Sequence, residues 1–507
     1  AFAIWDSHKE ELIVSRDGCG IKPLYFFHSD QGFYFASEMK ALFKLKNVKK
    51  NLNYDSLYRT LIFLWNPGNE TLIEGIEKFP EGKTITIKDN KIFSSVTTWT
   101  WPKYKPSNES LASHKKELKS AIEKSVKEQL VSDVPLGAFL SGGLDSSLIV
   151  SIASKHNNAL KCFSIEGNEH ELKAEGFEND LPYAKKVADL NEVDLFITKM
   201  DPDMLTLLPK IIYHNDELAA DPAMINAYLI CKQARESGIK VLLSGAGADD
   251  IFSGYRRHLA IKNYIIIESI PLIIKKMILS LTSLFNLNKS PKIRKLKKLF
   301  KYSLNSENQQ NKILSFFYWL DPKAALKLFK DKNIISQDPL KFIIEDMNTS
   351  SLRDPLEKML YLEKKYFLKD LNLNYTDKMS MANGVEVRVP FLDKNIIKIA
   401  SNIPSRFKQR FLTGKWILKK ITEFYLPKNI IYRKKTGFGA PLRQWLNNDL
   451  LPLIDEVLTK EKIEARGIFN SEEVSKMISD DRAGNADYSY AIYTLLCFEL
   501  WCLEFLD

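Results

Sequence analysis

Seven consecutive residues, Ser141-Gly142-Gly143-Leu144-Asp145-Ser146-Ser147, have the types and spacing to hold a phosphate chain. The apolar run Val134 to Leu140 before them is short enough for a buried parallel strand, and Leu144 to Ala153 after them carries apolar residues at helical spacing. Strand, glycine turn and helix together aim backbone N–H groups and a helix N-terminus at an anion. Gly142 and Gly143 admit a phosphate close to the backbone, where a Cβ would block it. Ser141, Ser146 and Ser147 add hydroxyl groups, and Asp145 places a carboxylate where a Mg²⁺ bridging phosphates would sit.

The pattern GxxxxGK(S/T) occurs nowhere in the chain, which disfavours phosphate-loop ATPases and kinases that depend on its lysine. The seven residues instead resemble the loop of the pyrophosphate-loop ATPases. That resemblance implies cleavage of ATP between its α- and β-phosphates, with a carboxylate or carbonyl becoming an AMP ester. The bland alternative is an ordinary glycine turn before a helix.

A second candidate loop runs Ser244-Gly245-Ala246-Gly247-Ala248-Asp249-Asp250 after the strand expected at Lys240–Ser244. It superficially suggests GxGxxG, but Asp250 stands at the third glycine and no second nucleotide half follows. Carboxylates after a strand facing a pyrophosphate loop suit a Mg²⁺ site, with Asp145 and Asp249 as the two anionic ligands.

Around these loops strand and helix signals alternate. Strands are expected at Lys161–Ile165 and Val193–Ile197, and helices at Asn179–Leu190, Pro202–His214 and Met224–Glu236. Such alternation predicts an α/β domain with a parallel sheet covered on both faces, its ligands beyond the carboxyl ends of the strands. A long amphipathic helix is expected over Asn108–Val131, after a proline-marked linker near Trp99 to Ser107. Residues 1–100 read as short strands with two short helices, an α+β unit. The resulting division is 1–100 and 108–507, with an apolar and basic helical insert at about 260–350 and a helical C-terminal part.

Within the first unit, Arg16-Asp17-Gly18-Cys19-Gly20-Ile21-Lys22-Pro23-Leu24-Tyr25 and Ala36-Ser37-Glu38-Met39-Lys40-Ala41-Leu42 resemble the C-terminal half of N-terminal-nucleophile glutamine amidotransferase domains. That family uses a cysteine at the mature N-terminus. Residue one is alanine, and Cys19, inside a turn, reads as a packed thiol. The opening Ala1 to Asp6 reads as the middle of a buried strand. The expectation is a partial glutaminase unit without its nucleophile, and ammonia-dependent activity at best.

Two further stretches, Tyr375-Thr376-Asp377-Lys378 through Val385-Glu386-Val387-Arg388-Val389-Pro390-Phe391-Leu392-Asp393 and Arg433-Lys434-Lys435-Thr436-Gly437-Phe438-Gly439, make the resemblance specific. The whole chain resembles the glutamine-hydrolysing asparagine synthases. The resemblance implies ATP-dependent adenylation of a carboxylate, with glutamine-derived ammonia attacking the acyl-adenylate. Carried over by position, Leu140, Ile165, Ser244 and Gly245 would contact ATP, while Ser141, Gly142, Gly143, Asp145 and Ser146 would hold the pyrophosphate. Lys435 would meet developing phosphate charge, an interaction worth roughly 3–4 kcal/mol in comparable sites. Asp216, Glu217 and Asp221 resemble the substrate-side loop, or else serve turns and caps. The family's second loop carries a glutamate where this chain has Ala246. Either Glu386 or Asp250 replaces it, with Glu386 the better candidate, or the acceptor is not free aspartate. Arg256, Arg257 and His258 would then read a larger anion such as a uronic acid of a surface polysaccharide.

Composition bounds the alternatives. Apolar content of 45% and charged content of 27% describe a globular chain, and five cysteines without CxxC spacing suit a reducing cytoplasm. The net charge of +10 lacks an accompanying RNA-binding signature, so small-molecule partners are expected and nucleic acid is not. Tyr264–Leu287 is strongly apolar, but Glu268, Pro271, Lys275 and Lys276 interrupt it. A buried or amphipathic helical hairpin is expected there, without stable membrane insertion and with peripheral membrane contact as the sharper alternative. A homodimer is compatible with the sequence, and a catalytically silent nucleotide-binding relative is the third reading.

Overall fold

A computed structural model describes residues 1–176, 178–200, 202–262, 268–283, 293–294, 296–297, 300, 308–434 and 439–507. Alternating apolar residues between turn signals give the first hundred residues two antiparallel sheets. One has the order β1 (Phe2–Asp6), β2 (Glu11–Ser15), β6 (Lys83–Lys88) and β7 (Lys91–Thr97). In the other, β3 (Tyr25–Ser29) is central, flanked by β4 (Gly32–Ala36) and β5 (Ile76–Lys78). Val14, Leu24, Phe79, Ile85 and Ile87 form their shared core. The opening strand is not buried as expected. Phe2, Ile4 and Trp5 are 55%, 53% and 60% exposed, because β1 is an edge strand paired with β2 alone.

The second sheet system is fully parallel, with the order β10 (Asp194–Lys199), β9 (Lys161–Glu166), β8 (Leu136–Phe139), β11 (Val241–Leu243) and β12 (Glu386–Arg388). Chain order runs outward from β8 to β9 and β10, then returns to β11 on the other side. The β8–β11 gap is therefore a topological switch point, where a crevice opens beyond the strand ends. Helices cover the sheet. Leu111–Gln129 starts at a Ser110 cap whose side chain accepts from the Ser113 N–H, and it buries Leu118, Ile122 and Val126. Leu144–Ala153 is almost wholly buried, which explains its apolar character on every face, and Ala223–Glu236 is buried as far as Cys231 before exposing Lys232, Arg235 and Glu236 in its last turn.

The two halves meet through buried charge. Lys78 lies 2.8 Å from Glu217 and 3.5 Å from Asp370, Tyr25 Oη donates to Glu217 at 2.9 Å, and Lys369 reaches Glu81 at 3.0 Å. Asp370 and Lys369 come from Glu363–Leu373, wound as a π-helix between the α-helices Pro355–Leu362 and Asn374–Met381. Such wide turns commonly mark positions where side chains are redirected.

Within the apolar run Tyr264–Leu287, the described residues include one helix, Leu272–Ser283, and it is not buried; farther along the expected insert lie the helices Gln309–Ser315, Pro322–Leu328 and Lys341–Thr349. Leu272, Ile273, Ile274, Met277 and Leu281 are 56%, 73%, 46%, 58% and 56% exposed. No helix among the described residues is long and apolar enough to cross a membrane.

Candidate active site

The switch point gathers the loop after β8 and the loop after β11. Leu140 extends β8, its N–H donating to Phe163 O of β9 at 2.9 Å, and Ser141 begins the turn. Gly142 adopts φ +70°, and a Cβ there would lie 2.5 Å from the Ala184 nitrogen, so only glycine fits without strain. Ser141 Oγ and Ser146 Oγ are 3.1 Å apart, and Ser141 Oγ accepts from the Gly143 N–H at 3.3 Å. The helix Leu144–Ala153 begins at Gly143, with no side chain capping its first N–H groups. Its positive end faces the loop, as an anion site requires.

Gly245, after β11, is packed against this turn. A Cβ on it would stand 2.8 Å from Asp145 Cβ and 3.0 Å from the Ser146 nitrogen. Ser244 donates its N–H to Arg388 O at 2.8 Å, and its Oγ accepts from the Ala246 N–H at 3.2 Å. Asp249, on the first turn of Ala248–Phe252, projects toward Asp145. Both acids contact one cation, the Lys415 ammonium, at 2.5 Å from Asp249 Oδ1 and in direct hydrogen bond with Asp145 Oδ2. Burial works against the ammonium, but Asp145 and Asp249 outweigh it and hold its pKa above the usual lysine value. Gly254 is tight against the pair, since a Cβ there would overlap the Asp249 carboxylate and Lys415 Cε.

Arg433 clamps the glycine turn from outside. Its Nε donates to Gly142 O at 3.0 Å and its Nη1 pairs with Asp180 at 2.6 Å. Neither Lys415 nor Arg433 emerged as a contact of the loop from sequence. Arg433 stood inside a quoted motif beside Lys435, whereas Lys415 had only its Gly414-Lys415 neighbourhood to recommend it.

Most sequence-derived residues thus converge. Leu140, Ser141, Gly142, Gly143, Asp145, Ser146, Ser244, Gly245 and Asp249 gather beyond the carboxyl ends of β8 and β11, and Ile165 lies near the carboxyl end of the adjacent β9. Lys435 falls outside the described residues, although its neighbour Arg433 reaches the turn. Glu386 does not join them. It opens β12 opposite Val241 at the far end of β11, and it pairs at 2.8 Å with Arg388, whose guanidinium donates to Gln129 O and Val131 O ahead of β8. Asp250 is buried, with Tyr255 Oη 3.5 Å from its Oδ2.

The Arg256–His258 cluster is also redirected. Arg257 forks onto Glu363 at 2.5 and 2.6 Å, and His258 Nε2 lies 2.7 Å from the same carboxylate. Burial pushes the His258 pKa down despite Glu363, while Arg257 overcomes burial to hold Glu363 below the usual carboxylate range. Arg257 and His258 therefore build the interior. Of the three acids upstream of Ala223, Asp216 and Glu217 are committed to Lys378 and Lys78. Asp221 differs: its carboxylate accepts from the Ala223 N–H at 2.9 Å, and burial raises its pKa to about 6. Cys19 is buried, its thiol pushed up by burial, as befits a packed side chain.

Two carboxylates converging on one point form a hard-oxygen donor set that fits a divalent cation such as Mg²⁺, provided the Lys415 ammonium gives way. Serine hydroxyls, uncapped helix N–H groups and two acids beside them can hold a polyphosphate and its counter-ion.

Comparison with known proteins agrees with that chemistry. A family model described as asparagine synthase matches residues 117–503, and one described as a glutamine amidotransferase domain matches residues 1–100. Asparagine synthetase (glutamine-hydrolyzing) 1 of Bacillus subtilis is 32% identical over 509 residues, covering 99% of this chain and 76% of the relative. A putative asparagine synthetase of Mycobacterium tuberculosis is 29% identical over 519 residues, covering 100% and 76%. The amidase chyE of Penicillium rubens is 24% identical over 516 residues, covering 93% and 73%. The chain belongs to the asparagine synthase family. It is an enzyme of the amide-ligase class.

Proposed function

We propose that this chain charges a carboxylate with AMP at the β8–β11 crevice and amidates it, releasing pyrophosphate into the Ser141–Ser147 turn. The observation carrying this reading is the convergence of that turn with Asp145, Asp249 and Lys415 at a switch point. Ser141, Gly142, Gly143 and Ser146 bind the departing diphosphate, while Leu140, Ile165, Ser244 and Gly245 border the nucleotide. Lys435, by position, meets the charge that develops as the phosphates separate. Asp145 and Asp249 would hold Mg²⁺, which when bound neutralises the polyphosphate. Until that cation arrives, the Lys415 ammonium occupies the point between the two acids and neutralises both.

Aspartate is the leading acceptor and glutamine the nitrogen source, a reading supported by relatives named asparagine synthetase (glutamine-hydrolyzing). A uronic acid is the second reading. Ala246 favours it, since alanine supplies no acid–base group where the family has glutamate, but Arg257 and His258 no longer do, being held by Glu363. Glu386 gives no support as a replacement acid from its place beside Arg388.

ATP–pyrophosphate exchange with a panel of carboxylates, followed by amide formation with ammonium, tests this. Exchange that requires aspartate establishes the first reading, and exchange only with uronic acids establishes the second. No exchange with any acceptor removes both and leaves a silent nucleotide-binding protein.

A further inference from the structure

The helix Leu272–Ser283 is inverted relative to a helix meant for water. Two of its polar residues, Lys275 and Thr282, are turned inward, 7% and 5% exposed, with Lys275 Nζ donating to Glu268 O at 3.2 Å, while Lys276 and Ser280 are exposed. Its aliphatic side chains Leu272, Ile273, Ile274, Met277 and Leu281 face outward instead. A globular surface helix normally shows the opposite arrangement. Contiguous exposed apolar side chains on one element mark an interaction surface rather than scattered surface residues.

Charge identifies the partner. Residues 269–306 contain nine Lys and Arg and no Asp or Glu, so this stretch carries +9 of the chain's net +10. Lys275 and Arg294 are tied within the protein, Arg294 lying near Glu175 and Asp487, while Lys276 is exposed beside the aliphatic face. A second copy meeting this face would bring like charge against like charge. The exposed aliphatic groups offer no stacking surface to a nucleic acid. A bilayer with anionic headgroups satisfies both features, because hydrocarbon takes up the apolar groups while lysines reach the phosphates.

We infer that Leu272–Ser283 is a peripheral anchor that lays the enzyme on an anionic membrane surface. No crossing of the bilayer is involved. The anchor is independent of the acceptor question, since none of the residues assigned to the β8–β11 site belongs to Leu272–Ser283.

Co-sedimentation with phosphatidylcholine vesicles, with and without phosphatidylglycerol, tests the inference. The wild-type chain is expected to sediment with the phosphatidylglycerol vesicles, weakly with phosphatidylcholine alone, and less as salt is raised. The double variant Ile273→Glu/Met277→Glu is expected to lower partitioning by about tenfold or more. Both positions are exposed, so the variant should fold, and its nucleotide-dependent thermal stabilisation should match wild type. Wild type that ignores both vesicles overturns the inference, as does a double variant that binds as wild type does. A concentration-dependent dimer in light scattering that this variant abolishes, or retention by single-stranded RNA in place of vesicles, overturns it equally.

Discussion

Lys415 Nζ stands 2.5 Å from Asp249 Oδ1 while also bonding Asp145, joining two loops that leave the sheet from neighbouring strands. Lys415 is 4% exposed, so the ammonium neutralises both acids away from bulk water. Removing one partner of a buried ionic group costs about 3–5 kcal/mol, because the remaining charges lose their compensation. Lys415→Met is therefore expected to lower the melting temperature. Mg²⁺ should raise the variant's melting temperature more than that of wild type, since the vacated point is bounded by the same two carboxylates. Thermal melts with and without Mg²⁺ decide this, and equal Mg²⁺ responses would remove the divalent-site reading.

Gly142→Ala places a Cβ 2.5 Å from the Ala184 nitrogen on a backbone already at φ +70°. The turn must shift, and displacement of a binding group by about 1 Å can cost on the order of a hundredfold in rate. ATP–pyrophosphate exchange should fall by about that factor while circular dichroism stays native. Exchange within a few-fold of wild type would show that the turn does not hold the pyrophosphate.

Arg433 holds the same turn from its carbonyl side. Arg433→Met is expected to leave Asp180 without that guanidinium and to loosen Gly142. Loss of one charge-assisted hydrogen bond, about 1.5–3 kcal/mol, corresponds to roughly a 10–100-fold fall in exchange at limiting ATP. Lysine should restore little of it, because a point charge cannot fork between Gly142 O and Asp180.

Asp221 gives a pH signature. Burial raises its carboxyl to about 6, against the opposing Ala223 N–H. A carboxyl with its folded pKa above its unfolded value binds the proton more tightly when folded. Stability is then greatest in acid and declines as pH rises from about 4 to about 6. Asp221→Asn should match wild type in acid and gain about 3 kcal/mol at neutral pH, where the charged carboxylate no longer has to be buried. Asp481, also raised to about 6, contributes equally to both proteins. Urea unfolding at the two pH values checks the sign. A simultaneous loss of exchange would place Asp221 at the acceptor.

The Ser141–Ser147 site was legible because its information is local. A strand, two glycines and a helix lie within about twenty consecutive residues, and Leu144–Ala153 came out with the bounds its spacing predicts. Lys415 was not legible, since its bond to Asp145 spans 270 positions and only tertiary packing creates it. Glu386 misled for a related reason. Its motif fixes which strand it enters but not the register, and pairing with Val241 places it two residues short of the strand's carboxyl end. Arg257 and His258 looked like surface cations beside a loop, whereas the π-helical turn at Glu363 supplies their partner from more than a hundred positions away. The apolar run near 272 left a buried hairpin, an amphipathic hairpin and a membrane-contacting helix all open, because hydropathy reports composition, not which side of a helix faces solvent.

The lysines that join the two halves set a condition on dissecting the enzyme. Lys78 and Tyr25 belong to the first hundred residues, yet they satisfy Glu217, and Lys78 also faces Asp370. An isolated C-terminal half would expose Glu217 and Asp370 stripped of these counter-groups, beside apolar surface that had been covered. Such a half should emerge as inclusion bodies rather than as an autonomous ligase, so the halves are best expressed as one polypeptide or brought together before refolding.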